Sequence, residues 1–326
     1  MRSYRRLALV LVPVVALFVA ATTIWLPYYS LGPGPARDVE PLIHVSGHPV
    51  YASGGRFVMT SVEFRQLSAL GVLLAWLDPD RSVVGRSTFF APGETLQQER
   101  RRAVSQMDQS KLAAAYVVLS TLTGYPRDHG RGVLVVGTQP GCAADGTLYP
   151  GDLITGIDGV PVRSSNQASR LIDRAAPGEP LSFHVRAGGE SETLDLIRRP
   201  CGGSEEPLVG VSLIPNFPFR IVIESGDVGG PSAGLMWALG LYDLLTPGDL
   251  AGGRMVAGTG AIGLDGSVQP IAGIADKIEA ASEAGADVFL VPKDNAAEAR
   301  ATGDHGMTLV SVSSFGDALD YLQGSG

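Results

Sequence analysis

Lysine is scarce in this sequence: of 25 Lys plus Arg only Lys111, Lys277 and Lys293 are lysine, so the position of each carries information. Cysteine is scarcer still. Cys142 and Cys201 alone cannot supply the four ligands of a structural zinc site. The five histidines form no HExxH and no paired CxxC exists, so no metal or other cofactor is expected. Twenty-five cations against 33 acids leave a net charge of −8, and no basic run follows the first few residues, which excludes a nucleic-acid-binding composition. There is no GxxxxGK followed by Ser or Thr, and no Gly-Lys pair at all, so a phosphate-binding loop for ATP is absent from this sequence. What remains, 326 residues with 45% hydrophobic and 18% charged, is enough for about two domains with sizeable cores.

The one long uncharged run lies at the start. Arg2, Arg5 and Arg6 in segment 1–6 precede Leu7 to Leu26, 20 residues long. At roughly 1.5 Å per residue that is about 30 Å of helix, the thickness of a bilayer. The expectation is an uncleaved transmembrane anchor over 7–26 with a cytoplasmic N-terminus. Trp25, Tyr28 and Tyr29 then form the far aromatic belt and 27–37, with Leu31-Gly-Pro-Gly-Pro-Ala36, a stiff linker leaving the membrane, so the soluble domains lie outside the cell.

Along the rest of the sequence, residues 55–65 read as a strand and 66–77 as a helix stopped by Pro79. A long run of helix formers spans Glu94 to Leu122, with Thr95 near its start. From Gly132 the pattern changes to a buried strand, turns, a helix over 165–175 and two further strands. Pro140-Gly-Cys-Ala-Ala144, Pro150-Gly151-Asp152-Leu-Ile154 and Ile157-Asp158-Gly159-Val160-Pro161-Val162 make this stretch resemble a PDZ domain over 127–200. The resemblance implies a groove between the strand Val133, Leu134, Val135, Val136 and the helix Gln167–Arg174, taking a peptide or the C-terminus of a polypeptide by strand addition. Cys142 and Cys201 bracket this module and could form a disulfide outside the membrane.

The chemistry lies further on. Phe219 to Leu235 reads as a strand, a glycine-rich turn and a helix start, with Ser232 where free backbone N–H groups can receive an oxyanion. Helix-start serines and Gly-Gly turns are ordinary, so this segment alone decides nothing. In a second segment Asp265-Gly266 marks a hairpin and Ile274 to Ala284 has helical period. Lys277 borders its apolar stripe rather than joining Asp276, Glu279 and Glu283. From the helix alone the lysine either snorkels to water or is buried with a lowered pKa, and a base working near pH 7 needs a fall of roughly 3 units from about 10.4.

Together the segments resemble the proteolytic domain of Lon proteases. The serine motif is Gly230-Pro231-Ser232-Ala233-Gly234; the lysine motif is Thr259-Gly260, Asp265-Gly266, Pro270-Ile271, Gly273 and Lys277, then Ala284-Gly285 and Val291-Pro292. The resemblance implies Ser232 as nucleophile, Lys277 as general base, and Thr259 as a hydroxyl bonded to the lysine, with Gly229, Gly230 and Pro231 shaping the turn. Gly229 departs from the acidic residue that many of these enzymes carry before Gly-Pro-Ser. The implied fold is α+β: a Lon-type (ribosomal protein S5 domain 2-like) proteolytic domain whose front part is 38–125 and catalytic part 205–326, with the PDZ-like module inserted. Anchor, PDZ and Lon-type segments in this order also resemble the YlbL-type secreted Lon-like peptidases of Gram-positive bacteria. That implies an ATP-independent serine endopeptidase acting on unfolded or extended polypeptides, as a homo-oligomer and by likeness a hexamer. Two rivals stand beside it: a non-catalytic membrane-anchored PDZ scaffold, and an α/β-hydrolase esterase in which Gly-Pro-Ser-Ala-Gly is the nucleophile elbow of a Ser232, Asp287, His305 triad.

Overall fold

The computed structural model describes residues 2–77, 82–88 and 90–324. The side chains of Arg2, Arg5, Arg6 and Leu7 to Val10, on which the anchor reading leans, lie outside it, as does Pro79. A helix runs over Arg2–Thr23 with Pro13 inside it. Among the described residues, no helix is long and apolar enough to cross a membrane.

The uncharged run does not stay helical to Leu26, nor is 27–37 a linker. Trp25–Asp38 is a 14-residue strand. It lies between Arg56–Ser68 and Ser82–Gly85 in antiparallel register, Tyr29 facing Gln66 and Asp38 facing Val58. Pro33 and Pro35, which suggest a linker by composition, fall at the register shift between Pro33 and Ala36, where a bulge frees the strand from needing their missing N–H groups. The main sheet continues from Arg56–Ser68 through Met255–Gly258, Val288–Pro292 and Thr308–Val312, all parallel.

Period-two alternation divides this sheet's side chains between two cores. Phe57, Met59, Val256 and Leu290 enter one core with the largely apolar helix Gly234–Leu245 and the long helix Leu96–Leu122. Val58, Ala257, Phe289 and Val291 enter the other, under Ile274, Ile278 and Ala281 of the helix Ile274–Glu283. The long helix starts at a reciprocal cap: the Thr95 hydroxyl accepts from the Gln98 N–H, and the Gln98 side-chain oxygen accepts from the Thr95 N–H.

A second sheet orders Val211–Pro215, Val133–Thr138, Leu153–Ile157, Pro180–Ala187 and Glu190–Ile197, all antiparallel, beside the helix Ser165–Arg174. It has its own core, including Ile154, Ile157, Leu181 and Phe183. Cys142 and Cys201 are joined by a disulfide, with Cα atoms 5.1 Å apart. The groove expected along Val133, Leu134, Val135 and Val136 is not there. Val211–Pro215 already pairs with one edge of that strand and Leu153–Ile154 with the other. Its side chains are also spoken for: Val133 and Val135 fill the small core, while Leu134 and Val136 pack on the large one. The covering strand begins at Val211, past the expected module boundary at 200, in a stretch whose pairing no local pattern announces.

Candidate active site

Ser232 stands two residues before the helix Gly234–Leu245, on one face of the main sheet; Lys277 is on the helix packed against the other face. They meet beyond the end of Met255–Gly258, where the sheet no longer separates the two layers. Lys277 Nζ lies 3.1 Å from Ser232 Oγ and 2.8 Å from the carbonyl oxygen of Thr60. The lysine is 4% exposed, so its stem does not carry the amine to water. Burial lowers its pKa from 10.5 to about 8, with Asp276 pulling weakly the other way. A neutral amine here can donate to Thr60 and keep its lone pair for the Ser232 proton.

Thr259 is placed differently from the expectation. Its hydroxyl donates to the Ser232 carbonyl at 3.0 Å, and the Gly260 N–H donates to the same oxygen at 2.7 Å. Sitting just past the strand end, Thr259 is beside the backbone of the serine turn, so it holds that turn instead of touching the lysine. The lysine's second partner is a backbone carbonyl of Arg56–Ser68, a group that carries no residue-type signature and that motif reading could not reveal.

The turn itself is clamped by the long helix. The Gly230 N–H donates to the Ala103 carbonyl (2.7 Å), and the buried Ser110 hydroxyl donates to the Pro231 carbonyl (2.9 Å). Gly230 has φ +86°, open to glycine at little cost. Gly229 is a close approach: a Cβ there would stand 2.8 Å from Ala103 Cβ. The missing acidic residue thus has a physical reason, since the long helix occupies its space. Among the described residues, the N–H groups of Ser232 and Ala233 have no backbone acceptor, which leaves both available at the head of the helix.

Ser232 and Lys277 open onto a groove of about 1400 Å³. Its floor is the strand from Thr60 to Gln66, and its walls are the long helix and the loop from Gly226 to Ala233. Beyond Met59, among the described residues, the strand has no strand partner on the side of Met255–Gly258, so an unpaired backbone edge runs away from Ser232. The rival triad is not assembled. Asp287 accepts the Met255 N–H at 2.8 Å, His305 sits in an exposed turn with φ +49°, and neither lines the groove. Among the described residues, no group of three or more His, Cys, Asp or Glu is arranged to hold a metal ion.

Residues 221–322 match the Lon protease (S16) C-terminal proteolytic domain family, a span that contains both Ser232 and Lys277. Lon protease 2 of Bacillus subtilis (strain 168) is 36% identical over 109 residues, 33% of this chain and 18% of that protein. A Lon protease of Roseiflexus castenholzii is 45% identical over 71 residues, covering 22% and 9%. The magnetosome formation protease MamE of Paramagnetospirillum magneticum is 33% identical over 85 residues, covering 26% and 11%. The chain therefore spans less than a fifth of the length of these relatives. Among solved structures, a PDZ domain of an SdrC-like protein from Listeria monocytogenes is 28% identical, with a TM-score of 0.24, covering 25% of this chain and 86% of that one. Residues 221–322, the part of the chain that carries both Ser232 and Lys277, are thus similar to the proteolytic domain of Lon proteases.

Proposed function

We propose that this protein is an ATP-independent serine endopeptidase in which Lys277 is the general base for Ser232. The observation that carries the reading is the buried amine 3.1 Å from the serine hydroxyl, with its other bond made to a carbonyl and not to a carboxylate. A carboxylate partner would hold the ammonium charged; a carbonyl orients the amine and leaves its lowered pKa intact. In the first step Lys277 takes the Ser232 proton while Oγ attacks a peptide carbonyl. The Ser232 and Ala233 N–H groups face the developing oxyanion, and Lys277 returns its proton to the departing amine. Water, deprotonated by the same lysine, then attacks the acyl carbon; the bond to Ser232 Oγ breaks, the acid leaves and Lys277 returns its proton to Oγ.

The unpaired edge beyond Met59 suits an extended substrate, which adds to it as a strand and presents one carbonyl to Ser232. With no phosphate-binding loop in the sequence, substrates arrive unfolded. The PDZ-like module is proposed to recruit or gate them as an insert between the two parts of the proteolytic domain. Among the described residues its sheet ends in Val211–Pro215 on one side and Glu190–Ile197 on the other; the first lies beside the helix Ser165–Arg174 and replaces Val133–Val136 as the proposed peptide groove. The disulfide supports an oxidising compartment, and with the apolar N-terminal helix it supports placement at the outer face of a cell membrane. Assembly into rings is proposed on resemblance alone.

The test is casein hydrolysis without ATP by the full-length protein in detergent. The strand Trp25–Asp38 belongs to the main sheet, so truncation at 38 would remove part of the fold. Activity lost in Ser232→Ala and Lys277→Ala and kept in His305→Ala is the expected outcome. Loss in His305→Ala would name a different base, and an inactive parent with and without added peptides ending in a free carboxylate would favour a scaffold.

A further inference from the structure

The helix Ala69–Trp76 is apolar on the outside. Leu73, Leu74 and Trp76 are 54%, 58% and 78% exposed, and Leu77 just after it is 68% exposed, while Ala75 alone is buried. At 100° per residue these four cover about 160° of the circumference, more than a packing stripe needs. Nothing in the described fold covers them. This helix starts beside the end of the N-terminal helix: the Ala69 N–H donates to the Ile24 carbonyl, and Trp25 pairs with Ser68, whose hydroxyl caps the helix at Gly71.

On that N-terminal helix every residue from Leu11 to Val19 is exposed, on all faces. A protein partner, including a second copy of this protein, covers a stripe of a helix; only a medium that surrounds the helix covers its whole circumference. Trp25 and Trp76, both exposed, are the amphipathic aromatics that settle at the boundary between lipid and water.

We propose that Ala69–Trp76 is a second lipid-docking element, seated in the surface of the bilayer beside the N-terminal helix, and that it turns one end of the active-site groove toward the membrane. The proposal rests on the membrane placement proposed above and requires contact with lipid, not a crossing. The groove reaches this surface: Trp25, Phe64 and Gln66 line it, and Ser68 begins the docking helix. From Thr60, which holds the catalytic amine, to Ser68 is eight residues of strand, about 26 Å at roughly 3.3 Å per residue. A polypeptide tethered in the same membrane reaches Ser232 after about eight extended residues, so the substrate class is polypeptide emerging from the bilayer.

The experiment uses the full-length protein with Leu74→Cys, Trp76→Cys or, as a distant control, Glu205→Cys. The two native cysteines are bonded to each other, so the new thiol is the one labelled with an environment-sensitive fluorophore. The protein is reconstituted in phosphatidylcholine–phosphatidylglycerol vesicles with and without nitroxide-labelled lipid. Flotation with the vesicles, with most of the emission quenched at 74 and 76 and little at 205, is the expected result. Flotation without quenching at 74 and 76 overturns the docking helix and leaves the membrane placement standing, with a second copy as the alternative cover. Failure to float overturns both.

Discussion

Lys277 links acid–base chemistry to stability. Its amine is held uncharged more readily in the folded protein, with a pKa of about 8 against about 10.4 in the unfolded state. Below pH 8 both states bind the proton, and the folded state bears the full cost of a buried ammonium. Between about 8 and 10.4 the unfolded state binds more protons, so this group's contribution to stability rises with pH. The shift is about 2.5 units, or about 3 kcal/mol. Urea unfolding of wild type and Lys277→Met at pH 7 and pH 10.5 is expected to show wild type gaining up to about 3 kcal/mol relative to the variant. The same titration governs activity: kcat/KM of wild type rises with pH through about 8, the ascending limb of a base that must be neutral. An ascending limb near 6.5 would instead point to a histidine.

At the scale of elements, the serine turn is a product of helix packing. Leu96–Leu122 lies so close to the turn that Gly229 meets Ala103, while Gly230 and Pro231 are bonded to Ala103 and Ser110. Gly229→Asp, which puts an acidic side chain against Ala103, is expected to push the turn off the helix and cut kcat at least tenfold, the effect of about 1.4 kcal/mol at the transition state. Gly229→Asp with Ala103→Gly removes the opposing Cβ and recovers part of that loss; steady-state kinetics of both variants checks it. Motif spacing made Ser232, Lys277, the hairpin at Asp265-Gly266 and the helices over 96–122, 165–174, 234–245 and 274–283 legible in the sequence. Three features were not legible, each for the same physical reason. The Thr60 carbonyl at the lysine, the proline-bearing strand Trp25–Asp38 and the pairing of Val211–Pro215 with Val133–Thr138 depend on partners distant in sequence. Local propensity reports none of these.

At the scale of the molecule, residues 39–122 and 214–322 form one part, with a core on each face of the main sheet, while most of the intervening stretch forms another around a small core of its own. The two are joined through the paired strands Val133–Thr138 and Val211–Pro215, whose alternate side chains face opposite cores. Thr138 and Val211 are direct partners across that pair, so the polypeptide enters and leaves the small module at adjacent points. The module is therefore a cassette on a two-stranded stem, and an Asn-Gly turn between Thr138 and Val211 can close the stem in its place. The shortened protein, with Val133, Val135 and Leu213 made polar where they lose their cover, is expected to unfold as one cooperative unit and to cut casein at the parental rate. It should lose any preference among substrates that depends on their C-termini. Such a stem is a fixed socket: one module can be exchanged for another at a single place in the sequence without disturbing the geometry around Ser232.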